Sequence, residues 1–121
     1  MCFIYQTHSA ANINSTPVCV LQAKAPLILD SLFVTNTRSF SILLSIQVIL
    51  LRQGEKQESC FVSRVRLDNG FPKQFMDNSC LYLDKGDEVI VSSEHSGDAF
   101  DCLLSWREFL EPQPLEIKDV I

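Results

Sequence analysis

The side chains able to do chemistry are few and scattered. His8 and His95 are the only histidines, and neither has a second typical metal ligand close by in sequence. His95 sits in Glu94-His95-Ser96-Gly97-Asp98, a composition that suits a metal or a proton relay but reads more simply as a solvated turn. Asp84, Asp87 and Glu88 offer the oxygen ligands a hard cation needs. Their spacing is not that of an EF-hand loop, and Gly86 beside Asp87 reads as a turn before a strand. Cys2, Cys19, Cys60, Cys80 and Cys102 contain no CxxC pair, so a thiolate zinc site lacks the local ligand pairs it requires. Most of them are expected to be reduced, buried, small apolar residues. Their odd number leaves open an exposed thiol or a bond between chains. With no basic neighbour to lower a thiol pKa, no nucleophile elbow and no glycine-rich loop ahead of a helix, the sequence predicts no catalytic residue, no metal and no cofactor.

Two further groups are candidates for binding. Trp106 is a possible carbohydrate platform, although its alternation with Cys102 and Leu104 places it in a core. Arg64, Arg66 and Arg107 form an outward basic patch if their strands are neighbours; otherwise they are an ordinary solvated face.

The whole chain limits these options. At 121 residues it makes one domain with a real core. Ten Lys and Arg against fifteen Asp and Glu leave a net charge of −5, which disfavours attraction to nucleic-acid phosphates. The longest apolar run, Ile42 to Leu51, is interrupted by Ser45 and Gln47 and is too short to span a bilayer. The first twenty residues carry no Lys or Arg, which argues against a secretory signal. The expectation is a soluble protein made in a cytoplasm, with neither nucleic acid nor membrane as partner.

The elements that must position these groups are strands. Leu27 to Thr35 and Ser41 to Leu51 are apolar runs around a polar break, Asn36 to Ser39, and read as a β-hairpin. Leu29, Phe33 and Thr35 share one face of the first run. Ile42, Leu44, Ile46, Val48 and Leu50 share one face of the second. Val18 to Gln22 is a further short strand. Arg52 to Glu58 is a polar hairpin loop, and from Cys60 the pattern resumes with Phe61, Val65 and Leu67 opposite Arg64 and Arg66. Asn69-Gly70 and Asp84-Lys85-Gly86-Asp87 are turns. Val89 to Ser93 and Phe100 to Phe109 complete the set. The prediction is an all-β, antiparallel, jelly-roll-like β-sandwich of seven or eight strands. It spans 18–109, between an N-terminal arm or edge strand (1–17) and an extended C-terminal arm (110–121) marked by Pro112 and Pro114.

Residues Leu32-Phe33-Val34-Thr35-Asn36-Thr37, then Leu81-Tyr82-Leu83-Asp84-Lys85-Gly86-Asp87-Glu88-Val89-Ile90-Val91, then Leu103-Leu104-Ser105-Trp106-Arg107-Glu108 resemble a pattern in small β-sandwich virion proteins of tailed bacteriophages. There, a strand ending in Val-Thr-Asn-Thr, a late Leu-x-x-Gly-Asp and a terminal Ser-x-x-Glu recur over about this length. The resemblance covers roughly residues 18 to 109, and the five cysteines and proline-containing tail depart from it. It implies a non-enzymatic structural component on capsid, neck or tail, located in the virion, whose partners are its own copies and other virion proteins. The apolar ends agree with assembly, and Phe3, Ile4, Leu115, Ile117, Val120 and Ile121 are the candidate interface. The alternative is a carbohydrate- or receptor-binding module working through Trp106 and the turn loops.

Overall fold

The structure, a computed structural model, describes residues 3–70, 72–76 and 79–109. Its strands are β1 (Phe3–Ile13), β2 (Val18–Gln22), β3 (Leu27–Asn36), β4 (Ile42–Arg52), β5 (Glu55–Leu67), β6 (Lys73–Gln74), β7 (Leu81–Leu83), β8 (Glu88–Ser93) and β9 (Phe100–Phe109). One sheet runs β1-β9-β3-β6, with β7 also on β3, and the other runs β2-β8-β4-β5. Every strand pairing is antiparallel. The protein is an all-β sandwich, as predicted, and β6 and β7 act as one broken edge strand beside β3. Most connections cross from one sheet to the other, the wiring of a double-sheet jelly roll.

That wiring overturns the expected hairpin between Leu27–Thr35 and Ser41–Leu51. β3 pairs with β9, β6 and β7, whereas β4 pairs with β5 and β8. The 37–41 segment is therefore a crossover between sheets. Asn36 holds it there from a buried position: its amide donates to the Phe40 carbonyl at 2.8 Å and the Leu67 carbonyl at 2.9 Å, and its side-chain oxygen accepts from Arg38 N at 2.8 Å. A buried amide with its donors and acceptor all used specifies one chain path and no other.

The inward face of β4 is the expected one: Ile42, Leu44, Ile46 and Val48 are buried. The face of β3 is not. Leu27 and Leu29, then Leu32 and Val34, are buried, while Phe33 and Thr35 look outward. A register shift against β9 between Leu29 and Ser31 inserts one residue and reverses the alternation beyond it. The true hairpin of the second sheet is β4–β5, closed by Gln53 and Gly54 alone. Their φ values of +54° and +78° give the twist that two-residue hairpins favour, so Glu55 to Glu58 belong to the strand rather than to a loop.

The Asp84–Asp87 turn is a buried anchor. Asp87 Oδ1 accepts from Leu51 N and Arg52 Nη1, both at 2.8 Å, and Oδ2 accepts from Asp84 N at 2.8 Å. Gly86 N and Ala23 N complete the joint by donating to the Ala23 and Asp87 carbonyls, each at 2.8 Å. Burial pushes the Asp87 carboxyl up, but the Arg52 guanidinium and the backbone N–H donors outweigh it and hold the group below its ordinary value.

Candidate docking edge and inter-sheet cleft

The residues with chemical potential do not converge. Among the described residues, no group of three or more His, Cys, Asp or Glu is placed to hold a metal ion. Asp87, weighed as a cation ligand, spends both carboxylate oxygens on N–H donors. His95 closes its own turn, its Nδ1 lying 3.0 Å from Gly97 N, and its ring stacks at 5.3 Å on Phe40.

The basic patch is dispersed by topology. Arg64 and Arg66 lie on β5 and Arg107 on β9, in opposite sheets. Each has an acidic partner: Arg64 Nε to Glu94 at 2.5 Å, Arg66 Nε to Asp68 at 3.7 Å, and Arg107 in a two-pronged contact with Asp30 at 2.8 and 2.9 Å.

The cysteines also depart from expectation. Cys19, Cys60 and Cys80 are exposed, and only Cys102 is buried among those described. Burial, with Asp101 beside it, pushes the Cys102 thiol up to about 12, so that sulfur is inert packing material. Alternation explains the two that lie on strands. Cys19 and Cys60 pair with Ile90 and Gln47, residues on the outward side of their strands, and an outward position stays outward whatever the side chain prefers.

Of the candidate interface residues, Leu115, Ile117, Val120 and Ile121 lie outside the described residues. Phe3 and Ile4 begin β1, paired with Phe109 and Glu108. The Phe3 ring packs on Phe109 at 5.2 Å and under the Arg107 guanidinium at 5.1 Å. Tyr82 lies 6.1 Å beyond Phe109. These contacts make an aromatic cluster on the outer face of the first sheet, where Tyr5 and Tyr82 are 75% and 51% exposed.

β1 is also an edge. Among the described residues its only strand partner is β9. The register is unbroken from Phe3↔Phe109 to Ala10↔Cys102, and the first irregularity comes after Ala10, where Asn12 takes φ +64°. Phe3-Ile4-Tyr5-Gln6-Thr7-His8-Ser9-Ala10 contains no Asp, Glu, Lys, Arg or Pro. The strand therefore presents a regular, unguarded row of backbone donors and acceptors.

Between β1 and the opposite edge strand β2 the two sheets splay into a cleft of about 420 Å³. Trp106 borders it, half-buried and packed on the core with one side, its Nε1 donating to Glu108 Oε1 at 3.1 Å. Gln6 and His8 enter from β1, and Gln22 and Lys24 from the β2 side. Sequence reasoning singled out Trp106 and His8 separately but missed Gln6 and the cleft that gathers them. The visible signal was the place of Gln6 and His8 on the alternate positions Ile4, Gln6, His8 and Ala10, which face the interior once the strand is in the sheet.

No protein-family model and no curated protein sequence matches the chain. Among solved structures, it is similar in fold to a Bacillus endospore appendage protein, from a family described as disulfide-linked pili, with TM-score 0.53, 8% identity and coverage of 90% of this chain and 89% of that one. It is also similar to a chain of infectious bursal disease virus, Gx strain, with TM-score 0.52 and 10% identity over 93% of this chain. This chain spans 33% of the viral one. At such identities the likeness shows a shared β-sandwich architecture.

Proposed function

We propose that this protein is a non-enzymatic structural subunit that assembles with its own copies by adding strands across the free edge of β1, as a component of a bacteriophage virion such as a capsid decoration, neck or tail accessory protein. The carrying observation is the β1 edge itself. An edge that runs regular, without charge, proline or bulge, from Phe3 to Ala10 is what soluble monomers avoid, because it templates pairing with another chain. Phe3 and Tyr5 stand on the edge strand itself and Phe109 on the adjacent β9, so a neighbour docked there gains apolar contact as well as backbone hydrogen bonds. The sequence resemblance to phage virion proteins supports the virion setting. The fold is one that a pilus protein and a viral protein share, and this supports an extracellular or particle-borne assembly. Other virion proteins are the further partners this reading expects.

Sedimentation velocity across a concentration series tests it. The full-length chain should form oligomers, and Thr7→Lys with Ser9→Lys, which place charge along the β1 edge, should return it to a monomer with unchanged far-UV circular dichroism. A wild type that stays monomeric up to its solubility limit, or a double variant that assembles as before, overturns the proposal.

A further inference from the structure

The cleft between β1 and β2 has a composition that packing does not explain. Inward positions of a sandwich are apolar because an amide or imidazole turned inward loses hydration without a matching partner. Here the inward side of β1 carries Gln6 and His8 in the middle of the strand. The sheets stand far enough apart that His8 remains exposed and the space between them is about 420 Å³. That lies within the roughly 300–1,000 Å³ typical of small-molecule sites.

The walls define the ligand's chemistry. Trp106 supplies a flat apolar surface with its N–H already committed to Glu108 at 3.1 Å. The indole is thus oriented and its face is the part left for contact. Gln6, on the inward side of β1, brings a donor and an acceptor into the cleft; Gln22, paired with Glu88 on the outward side of β2 and bonded to it at 3.5 Å, stands at the cleft's rim. Lys24 and Glu108 carry opposite formal charges, so the cleft has no net charge to attract an anion or a cation. A flat ring with a weakly polar face and a rim of hydroxyl groups fits these walls; a phosphate-bearing ligand does not.

We propose that this cleft binds a neutral saccharide unit of a glycan, stacked on Trp106 and held at its hydroxyls by Gln6, Gln22 and Glu108. The proposal does not rest on the assembly reading: Gln6 and His8 lie on β1, but on its inward side facing the cleft, and Trp106 and Glu108 belong to β9.

Trp106 is the only tryptophan in the chain, so its emission reports on this cleft alone. Full-length protein titrated with cellohexaose and with maltohexaose should show, for at least one of them, a saturable change in tryptophan emission matched by calorimetric heat. Gln6→Ala with Gln22→Ala should weaken that binding by about tenfold or more, the scale of one lost hydrogen-bonding group, and Trp106→Phe should abolish the heat while leaving circular dichroism unchanged. Two results would overturn the proposal: no saturable response to either sugar at about 10 mM, a limit corresponding to affinity too weak to be a built site, or equal affinity in the Gln6/Gln22 double variant.

Discussion

β1 and β5 are both edge strands of the same sandwich, one in each sheet, and they are built to opposite rules. β5 carries Glu55, Lys56, Glu58, Arg64 and Arg66 along its length. Its register against β4 breaks twice, between Leu44 and Ile46 and again between Ile46 and Gln47. Arg64 sits at φ +51° with its N–H turned to the Ser45 hydroxyl at 3.1 Å. Charge and irregular backbone together spoil β5 as a template for another strand. β1 has neither device from Phe3 to Ala10. The difference teaches that two edges of one sandwich can be built with and without such devices: among the described residues the fold concentrates anchoring and edge protection in the second sheet, where the Asp87 joint grips the end of β4, and places neither charge nor irregularity on β1 between Phe3 and Ala10.

That division predicts that damage on the β4–β5 side costs stability and spares assembly. The largest effect should come from Asp87→Asn. The substituted amide confronts N–H donors with its own NH2 group and loses the charge that Arg52 meets, so unfolding in urea should show a loss on the order of 2–3 kcal/mol, with sedimentation of the folded protein unchanged. The same variant should alter the acid limb. Asp87 has a lowered pKa in the folded chain, so its contribution is present above the unfolded value of about 4 and is lost as the pH falls through the folded one. Wild-type stability should therefore decline below about pH 4 more steeply than that of Asp87→Asn; parallel curves would break the assignment of Asp87 as the charged anchor.

A smaller loss, about 1–2 kcal/mol, is expected for Gly86→Ala. Gly86 has φ +95°, and an added Cβ would lie 2.6 Å from Leu51 Cδ2. The Leu51 side chain can swing away, whereas the backbone cannot leave its left-handed conformation without releasing Asp87. Adding Leu51→Ala to Gly86→Ala should thus fail to restore stability. Recovery in the double variant would show that crowding, not backbone conformation, sets the cost.

The smallest change in stability, within about 0.5 kcal/mol, should accompany removal of β5's guards by Glu55→Thr, Glu58→Thr and Arg66→Thr. The informative readout is association. New concentration-dependent species on sedimentation would sharpen the contrast between the edges. Unchanged sedimentation would assign the protection of β5 to its bulges rather than to its charges.

Much of the scaffold was written in local pattern. Local composition and alternation identified strands at Val18–Gln22, Val89–Ser93 and Phe100–Phe109 and fixed the inward face of β4, and turn chemistry marked Asp84–Asp87 as a turn. These are properties of neighbouring residues, and a pleated strand converts them directly into sides. Partner choice was not legible. β3 and β4 have the composition of a hairpin, but Asn36 steers the chain between layers, and its bonds to Phe40 and Leu67 exist only once β5 has arrived. Nor was the phase of β3 beyond Leu29, because a bulge is a relation between two strands and leaves little trace in one. The exposure of Cys19 and Cys60, the separation of Arg107 from Arg64 and Arg66, and the placing of Gln6, Gln22 and Trp106 around one cleft were decided in the same way. Sequence by itself determined that this chain would fold as two-sided strands around an apolar interior. Only the tertiary structure decided which of the described strands lie at the sheet edges and where the layers part, since those outcomes depend on contacts between residues far apart in the chain that no local period encodes.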